Sequence, residues 1–195
     1  MISVVIATHD SEMTLVRTLA ALVPGALAGI VREVIVADAG SRDQTATVAD
    51  IAGCRFVLTD APLGARLTAA AASARAQWLL FLRPGLVLHG AWLDETARFV
   101  QEAEFGADAG ARAAVFRMTG ATGRRHPALA EALALVAATL GAPPRPDQGL
   151  LIGKALYEAL GGHRGDSADP ERGLLRRLGR RRIVTLSGGA AIAKP

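Results

Sequence analysis

The chain has 195 residues, 51% of them apolar, and a formal charge of +4 at neutral pH. That length supports one domain with a substantial core, and that apolar share excludes a disordered chain. Aromatic residues make up only 4%, so the alanine- and glycine-rich composition suits closely packed helix-on-sheet layers rather than an aromatic-rich β-sandwich.

The basic excess is local. Arg164, Arg172, Arg176, Arg177, Arg180, Arg181 and Arg182 crowd the last quarter, whereas the opening sixty residues carry no basic excess. This cluster reads either as a solvated helix face or as a patch facing phosphate. The single cysteine, Cys54, excludes an intrachain disulfide and, beside Phe56, Val57 and Leu58, reads as a buried small hydrophobe. Met1 runs straight into a strand-like segment with no basic leader and cleavage site, and no run of about 18 apolar residues suggests a membrane span. The expectation is a cytoplasmic protein without a transmembrane segment, with peripheral membrane contact left open.

Residues 2–7 form a continuous run rich in β-branched side chains, the pattern of a strand buried on both faces. Asp10 or Ser11 can cap the following helix, in which Leu15, Leu19, Leu22 and Val23 recur at helical spacing and Pro24-Gly25 mark the end. A second buried strand is expected over 34–37, ending at Asp38. Gly40 supplies the turn, and Ser41 or Asp43 caps a helix over 44–52. A strand over 55–58, an alanine-rich helix over 63–75 and a strand over 78–82 follow. Strands alternating with helices at this spacing predict right-handed β-α-β units and a mostly parallel sheet with helices on both faces. Beyond it the spacing predicts a helix from Gly90 carrying Trp92, Ala97, Phe99 and Val100, and a strand over 113–118. A polar break over 120–125 precedes a helix over 128–140, stopped by Gly141 and Pro143-Pro144. A strand over 149–152, short helices over 154–160 and 171–178, and a last strand over 183–186 complete the α/β reading.

In open parallel sheets ligands bind beyond the carboxyl ends of the strands. Thr8, His9 and Asp10 follow the first strand, Asp38 through Asp43 the second, and Arg83-Pro84-Gly85 the fourth. Thr8 and Asp38 would lie side by side if the first two strands are neighbours, and a hydroxyl with a carboxylate can accept the polar hydrogens of a base or ribose. Taken alone, Asp38 reads first as a helix cap or turn former, and the pairing with Thr8 raises the functional reading. No glycine-rich turn follows the first strand, which disfavours a nicotinamide enzyme, and no P-loop is present. His9, His89, His126 and His163 are scattered without metal-ligand spacing and read as structural or surface residues.

Residues 3–10 (S-V-V-I-A-T-H-D) and 33–45 (E-V-I-V-A-D-A-G-S-R-D-Q-T) resemble the opening of the family 2 glycosyltransferases. Residues 78–82 are similar to the strand preceding that family's metal motif. Residues 147–152, 156–162 and 176–180 resemble the acceptor-side segments of a small bacterial subgroup. The resemblance implies a glycosyltransferase A-type fold over residues 1–195, with a nucleotide-binding half at 1–89 and an acceptor-side half at 90–195. It implies a nucleotide-diphosphate sugar donor, an acceptor hydroxyl of unknown identity, and a divalent Mg or Mn ion to offset the leaving diphosphate. By the same resemblance Thr8, Asp10, Asp38, Gly40 and Ser41 form the nucleotide pocket, and Asp147 and Gln148 contact acceptor or sugar.

Two departures stand out. Where the subgroup carries His-Ala-Asp this chain has Arg83-Pro84-Gly85, so no metal ligand is expected there. Arg83, with Arg66, would instead face the diphosphate as fixed cations, although Pro84-Gly85 also reads as an ordinary turn. Where the family carries its Glu-Asp base motif this chain has Pro170-Glu171; Glu171 reads as the general base or as a first-turn glutamate favoured by the helix dipole. The alternatives are a pseudo-glycosyltransferase that binds nucleotide or a partner, and a nucleotidyltransferase, which would need a basic glycine-rich loop absent here. Nucleic-acid binding rests on the arginine cluster alone, with no aromatic platform, and is not expected.

Overall fold

The computed structural model describes residues 1–106, 110–119 and 144–192. In chain order the elements are β1 (Ile2–Thr8), α1 (Glu12–Leu27), β2 (Val31–Asp38), α2 (Thr45–Ile51), β3 (Arg55–Leu58), α3 (Leu63–Ser73), β4 (Trp78–Leu82), β5 (Leu86–His89), α4 (Trp92–Phe105), β6 (Ala113–Met118), β7 (Leu150–Gly153), α5 (Lys154–Ala159), α6 (Pro170–Leu178) and β8 (Ile183–Ile192). Short 3-10 turns cover Pro146–Gln148 and Arg180–Arg182. The break expected over 120–125, the helix over 128–140, its stop at Gly141 and Pro143, and His126 lie outside the described residues. No described helix is long and apolar enough to cross a membrane.

The strands form one sheet in the order β3-β2-β1-β4-β7-β6-β8-β5. The first four run parallel, as the alternating pattern predicts. β7 then runs antiparallel to both β4 and β6, β8 parallel to β6, and β5 antiparallel to β8, so the second half is mixed. The sheet has to curl. β4 and β5 stand four places apart, about 19 Å across a flat sheet, yet only Arg83, Pro84 and Gly85 join them, a reach of about 14 Å at full extension. Leu82 and Leu86 accordingly pack in one cluster with Phe116.

Alternation along the strands divides the core into two layers. Trp78, Leu80 and Leu82 of β4 join Leu15, Leu19 and Leu22 of α1 and Trp92 and Phe99 of α4 on one face. Leu79 and Phe81 join Leu67, Ala70 and Ala71 of α3, Tyr157 of α5 and Leu174, Leu175 and Leu178 of α6 on the other.

Several boundaries differ from the sequence reading. Pro24 and Gly25 do not end α1, which continues to Leu27; Pro24 sits in the last turns and Gly29 (φ 69°) makes the exit. Gly25 is there for packing: a Cβ on it would lie 2.7 Å from the Trp92 ring and 2.8 Å from Val31. Val23 faces outward, 53% exposed, so it does not belong to the apolar face assigned to it. β2 begins earlier, at Val31, and β8 runs to Ile192 rather than 186 because its glycines lie against α4 and β5. β5 is an addition, since four residues after Pro-Gly offer no periodicity to read.

Candidate functional site

The carboxyl ends of β1 and β2 meet in register, Thr8 opposite Asp38. The Thr8 hydroxyl donates to Asp38 Oδ2 at 2.7 Å, and both side chains are buried. Asp38 Oδ1 accepts from the backbone N–H groups of Gly40 (2.8 Å) and Ser41 (2.7 Å), while the Ser41 hydroxyl donates to Oδ2. Gly40 lies at φ 89°, which lets the chain turn back onto the carboxylate. Burial opposes ionisation, but these hydrogen bonds from Ser41, Thr8 and Gly40 outweigh it and hold the Asp38 carboxyl below its ordinary value.

The loop after β1 is laced to the loop after β2. Asp10, at the left-handed φ of 46°, donates its N–H to Ser41 Oγ (2.8 Å) and accepts from the Arg42 N–H (2.7 Å). Asp43 Oδ2 accepts from the Glu12 N–H (2.9 Å) and Oδ1 from the Thr45 N–H (2.9 Å). One carboxylate therefore serves the first turns of both α1 and α2. Neither Ser11 nor Gln44, the residues at the cap positions, makes a side-chain cap bond of its own. Arg66, on α3, is buried; its Nη1 donates to the backbone oxygens of Thr8 (3.0 Å) and Ala37 (2.9 Å), and its Nε has no partner among the described residues. The guanidinium thus braces the ends of β1 and β2 from behind.

A cleft of about 400 Å³ opens beside this network, over the ends of β1 and β4, walled by Ala7, Ser11, Leu63, Phe81, Arg83 and Glu171. Arg83 and Glu171, 88 residues apart, form a two-point ion pair across it: Nε donates to both carboxylate oxygens (3.1 and 3.0 Å), and Nη2 to Oε2. The bond to Glu171 raises the Arg83 guanidinium above its ordinary value despite partial burial, and Asp147 and Asp169 add to the effect. Glu171 stands in the first turn of α6, behind Pro170; Asp169 caps that helix through the Arg172 N–H (3.0 Å). Gly85 (φ 87°) donates its N–H to Thr14 O and Thr18 Oγ1, which fixes the turn carrying Arg83.

Asp147 and Gln148 lie in the 3-10 turn before β7. Gln148 is spent on the fold: its Nε2 donates to Phe116 O (3.1 Å) and its Oε1 accepts from the Arg145 N–H (2.7 Å). Asp147 Oδ1 is buried without a partner among the described residues. Sequence reasoning missed one residue here. Arg145 had no motif around it. His163, one of the scattered histidines, is 4% exposed, accepts or donates at Nδ1 to the Tyr157 hydroxyl (2.9 Å), packs edge-on to Phe81 and shares a small cavity with Glu171. Burial, aided by Arg177, pushes its pKa down to about 4. Among the described residues, no group of three or more His, Cys, Asp or Glu side chains is placed to hold a metal ion.

Known structures share this architecture. S. aureus TarS (1–349) superposes with a TM-score of 0.73 at 18% identity, over 98% of this chain and 60% of that one. Glucosyl-3-phosphoglycerate synthase from Mycobacterium tuberculosis, solved with Mn²⁺, uridine diphosphate and glucosyl-3-phosphoglycerate, gives 0.68 at 22% identity, over 100% of this chain and 72% of that one. The same synthase with phosphoglyceric acid reaches 0.70 at 25% identity. A search of curated proteins finds no match. The class that the fold defines is the A-type glycosyltransferases. The sequence model of glycosyl transferase family 2 matches residues 3–164, and the chain belongs to that family.

Proposed function

We propose that the protein transfers a sugar from a nucleoside diphosphate donor to an acceptor hydroxyl, with the donor received by the half at 1–89 and the acceptor by the half at 90–195. The observation that carries this reading is the laced rim built on Thr8 and Asp38 beside a cleft walled by Arg83 and Glu171. The nucleoside meets the rim of Asp10, Gly40 and Ser41. Asp38, whose acceptor positions are filled by the protein, acts by holding that rim in shape. Arg83 faces the diphosphate, where guanidinium matches phosphate oxygens, and Arg66 adds positive charge from beneath. Asp147, whose Oδ1 has no partner among the described residues, contacts the acceptor or sugar.

The family's metal does not fit the end of β4. Arg83 brings a positive charge there, the Pro84 side chain carries no ligand atom, and Gly85 has no side chain, while Glu171 is already taken by Arg83. Arg83 therefore supplies the charge that offsets the leaving group. The diphosphate competes for that guanidinium and frees Glu171. The acceptor hydroxyl oxygen then attacks the anomeric carbon, the bond from that carbon to the diphosphate oxygen breaks, the hydroxyl proton passes to Glu171, and the nucleoside diphosphate leaves. Calorimetry with uridine and guanosine diphosphates tests the reading. Heat is expected with at least one of them and is abolished by Asp38→Ala, which unmakes the rim. Silence with every nucleoside diphosphate, with or without Mn²⁺, removes it.

A further inference from the structure

A second concave surface lies next to the candidate base and belongs to none of the residues discussed for the donor. It is a cavity of about 520 Å³ in which Arg145 from the loop before β7, Arg172 and Arg176 from α6, and Arg180 from the following 3-10 turn converge. The first and last of these positions lie 35 residues apart in sequence, so the convergence is made by the fold and not by one charged run. Arg172 is paired with Asp169 (3.3 Å). Arg145, Arg176 and Arg180 have no carboxylate partner among the described residues. Arg177, one residue on, shows the contrast: its guanidinium is consumed by the carbonyls of Leu160 and Gly162 and does not enter the cavity. Like charges gathered in a concavity repel one another and focus a positive potential that an anion relieves.

The cavity also connects to the chemistry. It shares Arg145 and Leu175 with the small cavity that holds His163, and that cavity shares Phe81 and Glu171 with the donor cleft. The three cavities are therefore neighbours, with Arg145 and Leu175 standing between the first two and Phe81 and Glu171 between the last two. No aromatic side chain lines the arginine cavity, so stacked bases have no platform.

We infer that the arginine cavity binds a phosphate group carried by the acceptor, which holds the acceptor's hydroxyl beside Glu171 and facing the donor's anomeric carbon. This rests on the sugar-transfer reading and names the acceptor class: a phosphorylated molecule, either soluble or the headgroup of a lipid. The test titrates inorganic phosphate into the full chain by calorimetry and co-sediments the chain with phosphatidylcholine vesicles with and without phosphatidic acid. The variant is Arg176→Gln with Arg180→Gln, both exposed, with circular dichroism confirming the fold. Phosphate binding marks a soluble acceptor, and retention on the acidic vesicles alone marks a lipid phosphate. In either case the double substitution is expected to weaken binding about tenfold or more and to leave uridine diphosphate affinity unchanged. The inference is overturned if neither probe binds, if binding survives the double substitution, or if a single-stranded oligonucleotide binds through these arginines when phosphate and vesicles do not. Failure of the unmodified chain to bind uridine diphosphate or any other nucleoside diphosphate would instead fault the donor reading.

Discussion

His163 is held neutral in a pocket that includes Phe81 and Tyr157, with its pKa near 4 in place of its ordinary 6.5. Between those values the unfolded chain binds a proton that the folded chain refuses. Stability is therefore complete above about pH 6.5 and falls as pH drops toward 4, by about 3 kcal/mol in all. Urea unfolding across that window should show the loss, and His163→Gln, which does not titrate, should flatten it; an equal slope in both proteins would place the loss elsewhere. The lowered Asp38 carboxyl acts in the same direction at lower pH, where its protonation releases the rim. At this scale the sequence was legible where a residue ends a strand. Thr8 and Asp38 could be paired in advance because β1 and β2 are buried runs of known direction. What could not be read was how Asp38 spends its lone pairs, since Gly40 and Ser41 reach it through a turn whose geometry follows from the Gly40 backbone. His163 carried no signal either: its burial depends on Tyr157 and Phe81 arriving from other elements.

The two loops after β1 and β2 show how elements set the site. Asp43 ties the starts of α1 and α2 together, so neither helix can shift without disturbing the rim. α3 is fixed just as tightly from the opposite side. Gly64, in its first turn, runs so close to the chain after α5 that an added Cβ would lie 2.1 Å from the Arg164 carbonyl oxygen. Gly64→Ala must push backbone from backbone and should cost about 1–3 kcal/mol. It should also displace Leu63, a wall of the cleft. A thermal melt unchanged by that substitution would mean the contact is looser than described. Strands β1, β2 and β4 were readable because continuous apolar runs of this length admit little else. The end of α1 was not, because Pro24 and Gly25 are tolerated in its last turns, where Gly25 makes room for Trp92.

For the whole molecule, the decisive feature is the curl of the sheet. It brings the turn after β4 against α6, so that Arg83 and Glu171 meet across 88 residues. Each was nominated from sequence, one as a cation for the diphosphate and one as a base. Their pairing was beyond reach because it depends on a mixed second half whose strand order no local pattern encodes. The arginine cluster was visible as composition only; the fold sorts it into Arg177, spent on carbonyls, and Arg176 and Arg180, turned into a cavity. On the proposed reading a fixed guanidinium, that of Arg83, takes the place of a metal ion before the diphosphate. The most direct measurement compares calorimetric affinities for uridine diphosphate and uridine in the presence of a metal chelator. The diphosphate is expected to bind more tightly by about tenfold or more, with Arg83→Gln erasing the difference. Equal affinity for the two ligands, or diphosphate binding that arises only when Mn²⁺ is supplied, would contradict the claim.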